Sequence, residues 1–376
     1  ISYELTQDGL LIGKGKLDEV SVVPHSEGKT NLQVNVPENG KCYLKLTYHL
    51  KKEMPLLEED YILGFDEIEV SQKDAKCQLA EKWVEKTVTD SELQVSEDDT
   101  QIHIKGREFA YTIDRRTALF TEMKFAGREY LNHPMELNIW RAPTDNDMYI
   151  KSEWKKAHYD KAYTRAYTTE VVQGKHGVKI TSHASVVAET VQKILDVTIT
   201  WKIEAAGKID ADIAVTKDDE FPDLPRFGVR MFLDKKLSAV RYFGMGPQES
   251  YCDKHQAASH GLYHANVDDL HEDYIRPQEN GSHYDCEYVE LNNSRYGIVV
   301  SAENAFSFNA SYYTQEELEK KTHNYELIES DSVVFCVDYA LNGIGSNSCG
   351  PVVLEQYRFD DVLFRFQFTL IPYVKG

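Results

Sequence analysis

Cysteine is sparse and scattered in this chain. Cys42, Cys77, Cys252, Cys286, Cys336 and Cys349 are the six present in 376 residues, with no C-x-x-C pair and no dense framework. That excludes a disulfide-stapled scaffold and argues against structural zinc. Reduced thiols in a cytoplasmic protein are the expectation, and a periplasmic location stays open. Long apolar runs are also missing: no stretch approaches the roughly 20 residues that a membrane-crossing helix needs. Positive charge is in deficit, with 42 Lys and Arg against 62 Asp and Glu and a net charge of −20. So acidic a chain is a poor partner for nucleic acid or an anionic membrane surface. Helical periodicity is rare, and there is neither a repeat nor a low-complexity tract.

What is there reads as β structure. The length suffices for two or three domains with real cores. Tyrosine is abundant at 23 residues, which favours strands and, more weakly, ring stacking on sugars. Asp8-Gly9 between apolar runs signals a hairpin. Leu32-Val34-Val36 alternates, and Tyr43 to Tyr48 reads as a further strand. Residues 1–72 therefore read as part of a small β-sandwich. Only four or five strands are visible where about seven are usual, and the chain opens within the first. It is accordingly expected to be a piece of a longer polypeptide. Residues 73–100 are charged and Ser/Thr-rich and suggest the boundary of a second domain, 73–376. There, hairpin and period-two signals recur from Phe109 to Tyr373, most clearly in Val197 to Ile203. Residues 152–162 are expected to hold a short helix, and Thr314 opens another with a capping-box pattern. Residues 252–285, rich in histidine and poor in periodicity, read as a long loop.

One stretch concentrates chemistry: Trp140-Arg141-Ala142-Pro143-Thr144-Asp145-Asn146-Asp147. Pro143 fixes its own φ and drives Ala142 out of the helical region, and the three Asx side chains can hold tight turns. Taken alone it is a structural turn with Arg141 paired to a carboxylate. Two further stretches stand out, Gly244-Met245-Gly246-Pro247-Gln248-Glu249-Ser250-Tyr251 and Tyr274-Ile275-Arg276-Pro277-Gln278-Glu279-Asn280-Gly281. Pro247 and the lack of a following helix speak against a phosphate loop. Glu249 and Glu279 read as loop caps. His255, His260, His264 and His271 are irregularly spaced, so satisfied or solvated histidines are favoured over a metal site.

R-A-P-x-D-N-D, G-x-G-P-x-E-x-Y and the Tyr274–Gly281 stretch, in that order, closely resemble the C-terminal domain of family 2 β-galactosidases. The resemblance runs from about residue 100 to the C-terminus, with a weaker strand-pattern match over 1–72 to the preceding immunoglobulin-like domain. It implies an all-β fold: a partial immunoglobulin-like sandwich, then a large antiparallel super-sandwich like that of galactose mutarotases. It also implies that catalysis belongs elsewhere. In the family a (β/α)₈ barrel carries the two glutamates, which a retaining glycosidase needs about 5 Å apart, together with Mg and Na. No barrel pattern is present here, so the chain resembles the non-catalytic C-terminal portion. No catalytic residue, metal or cofactor is assigned to it.

Its expected contribution is to the substrate mouth. Arg141, Asp145, Asn146 and Asp147 would set the exit of a loop at 148–151, where Tyr149 stands at a position held by Gly in another member. Gly343 to Pro351 resembles a second active-site loop, containing Asn347 and Cys349. Cys349 stands where that member has a sugar-stacking Trp. The implied partners are a β-galactoside such as lactose, the upstream barrel and further copies of the full enzyme. Two other readings are an independent carbohydrate-binding module and a mutarotase-like sugar epimerase.

Overall fold

The computed structural model describes residues 1–17, 21–84, 93–345 and 352–375. The first region is a single four-stranded antiparallel sheet, with Leu10–Lys16, Ser2–Gln7, Cys42–His49 and Ile62–Glu69 side by side. The Asp8-Gly9 hairpin forms as its residues dictate: both have positive φ, 48° and 77°, as a tight two-residue turn of this hand requires. Gly9 is fixed for a second reason. A Cβ there would lie 2.2 Å from the backbone nitrogen of Leu262, so the hairpin packs directly on the second region. Leu32, Val34 and Val36 are half-buried while Asn31, Gln33 and Asn35 are exposed, yet this segment pairs with no strand. The alternation reports a covered face, not a ladder.

The main sheet runs Leu131–Asn138, Arg226–Asp234, Ser332–Leu341, Tyr296–Ser311, Leu363–Val374, Ile209–Lys217, Leu195–Glu204, Gly177–Val187 and Tyr163–Gln173, all antiparallel. Ala239–Gly246, Ser259–Asn266 and Ser282–Asn292 branch from it through Tyr296–Ser311. A third sheet of five strands, from Gln94–Glu97 to Arg128–Glu129, packs on it. The fold is thus all-β, a small sheet followed by a large antiparallel super-sandwich. The period-two signal is realised at its centre, where Val197, Ile199, Trp201 and Ile203 are buried and Asp196 and Lys202 are exposed. Trp201 donates its Nε1 proton to the carbonyl of Ala118 at 2.8 Å and meets Phe120 and Phe368 edge-on. One buried indole so joins the five-stranded sheet to the large one, and its polar atom is satisfied as burial requires.

Helix is as scarce as the sequence predicts. Ile150–Lys156 and the single turn Tyr159–Lys161 occupy the expected place. Gln315–Lys320 is capped by Thr314, whose hydroxyl accepts from the Glu317 amide at 3.1 Å. The reciprocal half of that box does not form, because Glu317 accepts from Ile328 instead. The long loop expected at 252–285 is overturned. Ser259–Asn266 within it is a strand, paired residue for residue with Ala239–Gly246. Among the described residues it has that strand alone as a neighbour and lacks two contrasting faces, which is why no alternation marks it.

Candidate functional site

The large sheet delivers Arg141 into the protein just past the end of Leu131–Asn138. Its side chain is completely buried. One terminal nitrogen donates to an Asp147 carboxylate oxygen at 2.7 Å and to the Gly343 carbonyl at 3.2 Å; the other donates to the Asn342 carbonyl. The second Asp147 oxygen accepts from the Thr144 amide at 2.8 Å. Asp147 thus closes the turn across Pro143 and neutralises the guanidinium in one arrangement, as a buried charge requires. The same guanidinium lies 5.3 Å from the Trp154 ring. Trp154 anchors Ile150–Lys156 by donating to the Asp223 carbonyl at 2.9 Å. The chain leaving the turn therefore enters a helix almost at once, with Tyr149 as its N-cap. The segment 148–151 is half helix where a loop was expected.

The three sequence stretches meet here. The Glu279 amide donates to the Ala142 carbonyl at 3.0 Å, and the Asp145 amide donates to Gln278 at 3.0 Å. Glu249 accepts from the Gly281 amide at 2.8 Å and binds Lys254 and Tyr274, the loop-capping role its sequence suggested. Asn146 donates to the Gly345 carbonyl at 2.7 Å, while Asp253 accepts from the Ile344 and Gly345 amides at 3.0 and 2.8 Å. The segment 342–345 is so gripped from three sides, by Arg141, Asn146 and Asp253. Asn347 and Cys349, a few positions further on, lie outside the described residues. Asp145 and Tyr149 are well exposed, at 61% for the Asp145 side chain and 64% for Tyr149.

Behind this knot lies another. Arg226 pairs with both oxygens of Asp338, at 3.1 and 2.6 Å, and reaches Glu279 at 3.3 Å; all three are buried. Burial raises the Asp338 pKa, and the two-pronged pairing with Arg226 pulls against that rise. Glu279 has one long contact, and its other oxygen is without a partner. Burial raises its pKa, against the pull of Arg226 and Arg141. Sequence reading passed over Arg226, Asp338, Asp253 and Asn342. A signal existed for two of them: Asp338 ends the run Val333-Val334-Phe335-Cys336-Val337, and Arg226 opens Phe227-Gly228-Val229. A lone charge in an apolar strand must find a buried partner.

Of the four clustered histidines, His260 is hydrogen-bonded to two carboxylates. It sits on the seam between the two regions, 2.7 Å from Glu67 and 3.0 Å from Asp285, with its ring stacked on Tyr43 at 4.0 Å. Burial opposes its charge, but the hydrogen bonds to Asp285 and Glu67 outweigh that and raise its pKa to about 9. His255 bonds the Tyr251 carbonyl, and His271 packs on Tyr313. Among the described residues no group of three or more His, Cys, Asp or Glu side chains converges as a metal site, and no helix is long and apolar enough to cross a membrane.

Such a molecule is a β-sandwich scaffold with ion pairs buried at the base of its connecting segments. The comparisons with known proteins say which scaffold. A family model described as "Beta galactosidase small chain" matches residues 105–370, and one described as "Beta-galactosidase, domain 4" matches residues 1–71. The chain belongs to the β-galactosidase family, as non-catalytic C-terminal domains of it. It is 42% identical over 373 residues to a β-galactosidase of Actinobacillus pleuropneumoniae, covering 99% of this chain and 36% of that protein. It is 32% identical over 351 residues to one of Staphylococcus xylosus, covering 93% of this chain and 34% of that protein. The chain thus spans about a third of the length of these relatives. A galactose 1-epimerase of Lactobacillus acidophilus is similar at 7% identity and a TM-score of 0.39, over 77% of this chain and 100% of that one. A likeness at that level says nothing about activity.

Proposed function

We propose that this chain serves a retaining β-galactosidase by shaping the substrate mouth of a barrel that carries the catalytic glutamates. The observation that carries this reading is that the three family motifs are tied to one another, through Gln278, Glu279 and Glu249, while Arg141 and Asn146 tie them to the 342–345 segment. Arg141 and Asp147 are the supports, since full burial keeps both from a sugar. Asp145, Asn146 and Tyr149, with Asn347 and Cys349, are the residues assigned to the mouth itself. Terminal β-galactosides such as lactose are the substrate class, Mg and Na ions belong to the barrel, and the full enzyme is a homo-oligomer. The scattered thiols, unpaired among the described residues, fit a cytoplasmic location.

A chimaera tests the reading. The matching region of the Actinobacillus pleuropneumoniae relative is replaced by this chain, and hydrolysis of o-nitrophenyl β-galactoside is followed. The chimaera is expected to turn over and the isolated chain to be inert. Steady turnover by the rigorously purified chain alone would overturn the assignment.

A further inference from the structure

A cavity of about 320 Å³ lies beside the Arg141 knot, lined by Tyr284, Tyr339, Tyr357, Gln356, Arg358 and Asp361 among others. Its size is that of a small-molecule site. Its chemistry narrows the ligand. Several rings give apolar faces, and an amide, a guanidinium and carboxylates give planar groups able to make paired hydrogen bonds. Tyr284, Tyr339 and Asp361 make no side-chain hydrogen bond among the described residues. The Arg358 Nε donates to the Val353 carbonyl at 3.0 Å, which fixes the guanidinium plane. Asp285, also in the lining, is already engaged by His260 at 3.0 Å. Two carboxylates against one arginine disfavour an anion, and the many polar groups disfavour a purely apolar guest. A neutral ring with one apolar face and a rim of hydroxyls satisfies both kinds of wall.

We infer that this cavity binds a pyranoside, at a site distinct from the 146–149 turn and requiring no barrel. The inference does not depend on the proposed function, and the two fail separately: an active chimaera with no sugar binding by the chain alone would leave that function and remove the cavity.

The test is calorimetric titration of the chain with methyl β-D-galactopyranoside, methyl β-D-glucopyranoside and lactose, with inorganic phosphate alongside. Saturable one-to-one binding of at least one glycoside is expected. Asp361→Asn and Tyr284→Ala should each weaken it about tenfold, as loss of a charge-assisted hydrogen bond or a ring face does, while Tyr325→Ala, an exposed ring outside the cavity, leaves it unchanged. Asp361 is exposed enough for its amide variant to fold if Tyr284→Ala does not. No saturable binding by any glycoside, binding indifferent to both cavity substitutions, or phosphate bound in preference would each overturn the inference.

Discussion

Two of the ionic clusters among the described residues are built differently. The Arg141–Asp147 and Arg226–Asp338–Glu279 cluster is wholly inside the super-sandwich, made of guanidiniums whose charge does not depend on pH in any ordinary range. The His260–Glu67–Asp285 cluster joins the small sheet to the large one, and its cation is an imidazole. The contrast separates two tasks. Buried arginines fix geometry whatever the conditions, at the cost of desolvating every partner. A clamped histidine fastens a seam that the solution can loosen.

The largest expected effect breaks the inner cluster. Arg226→Met strands Asp338 without its counter-charge and leaves Glu279 to Arg141 alone, and breaking such a buried pair typically costs about 3–5 kcal/mol. A steep fall in thermal midpoint checks it. A small effect would mean that the two carboxylates are readily hydrated or neutralised.

Next in size is the seam. His260 carries a raised pKa, so its charged form favours the closed arrangement. That contribution is complete below the unfolded value near 6.5 and is lost as pH rises through about 9. At ~1.4 kcal/mol per tenfold change, it amounts to at most about 3 kcal/mol. Thermal midpoints measured from pH 6 to pH 10 should fall more steeply for the native chain than for His260→Gln. Parallel profiles would show that the seam does not depend on this proton.

Smaller still are single contacts. Thr314→Ala removes a helix cap and should cost about 1 kcal/mol without touching either cluster. Tyr149→Ala removes an exposed ring and should change stability by less than about 0.5 kcal/mol. A larger loss at Tyr149 would show that it braces the turn, contrary to the role at the mouth proposed for it.

Much of this was legible in the sequence because the relevant forces are local. Asp8-Gly9 needs no tertiary information to be a turn, nor does Val197 to Ile203 to be a two-faced strand. Arg141 and Asp147 were legible because only six positions and a proline separate them. The grip on 342–345 was not, since Asn146 meets Gly345 across 199 positions through backbone carbonyls that leave no mark on residue type. Ser259–Asn266 was hidden for a related reason: a strand with one neighbour and no sharply buried face carries no periodicity to read.

The central claim is that the turn at 141–147 and the 342–345 segment form one unit that aims the loops of the mouth. Asn146→Ala tests it most directly in the active chimaera, because the substitution removes one contact between them and leaves both ion-pair clusters intact. The account predicts that kcat/KM for o-nitrophenyl β-galactoside falls about tenfold or more, as a small misplacement at a binding mouth can cause, with the thermal midpoint nearly unchanged. Native kinetics in the variant, whatever happens to its stability, would contradict the account and leave the motif a structural turn.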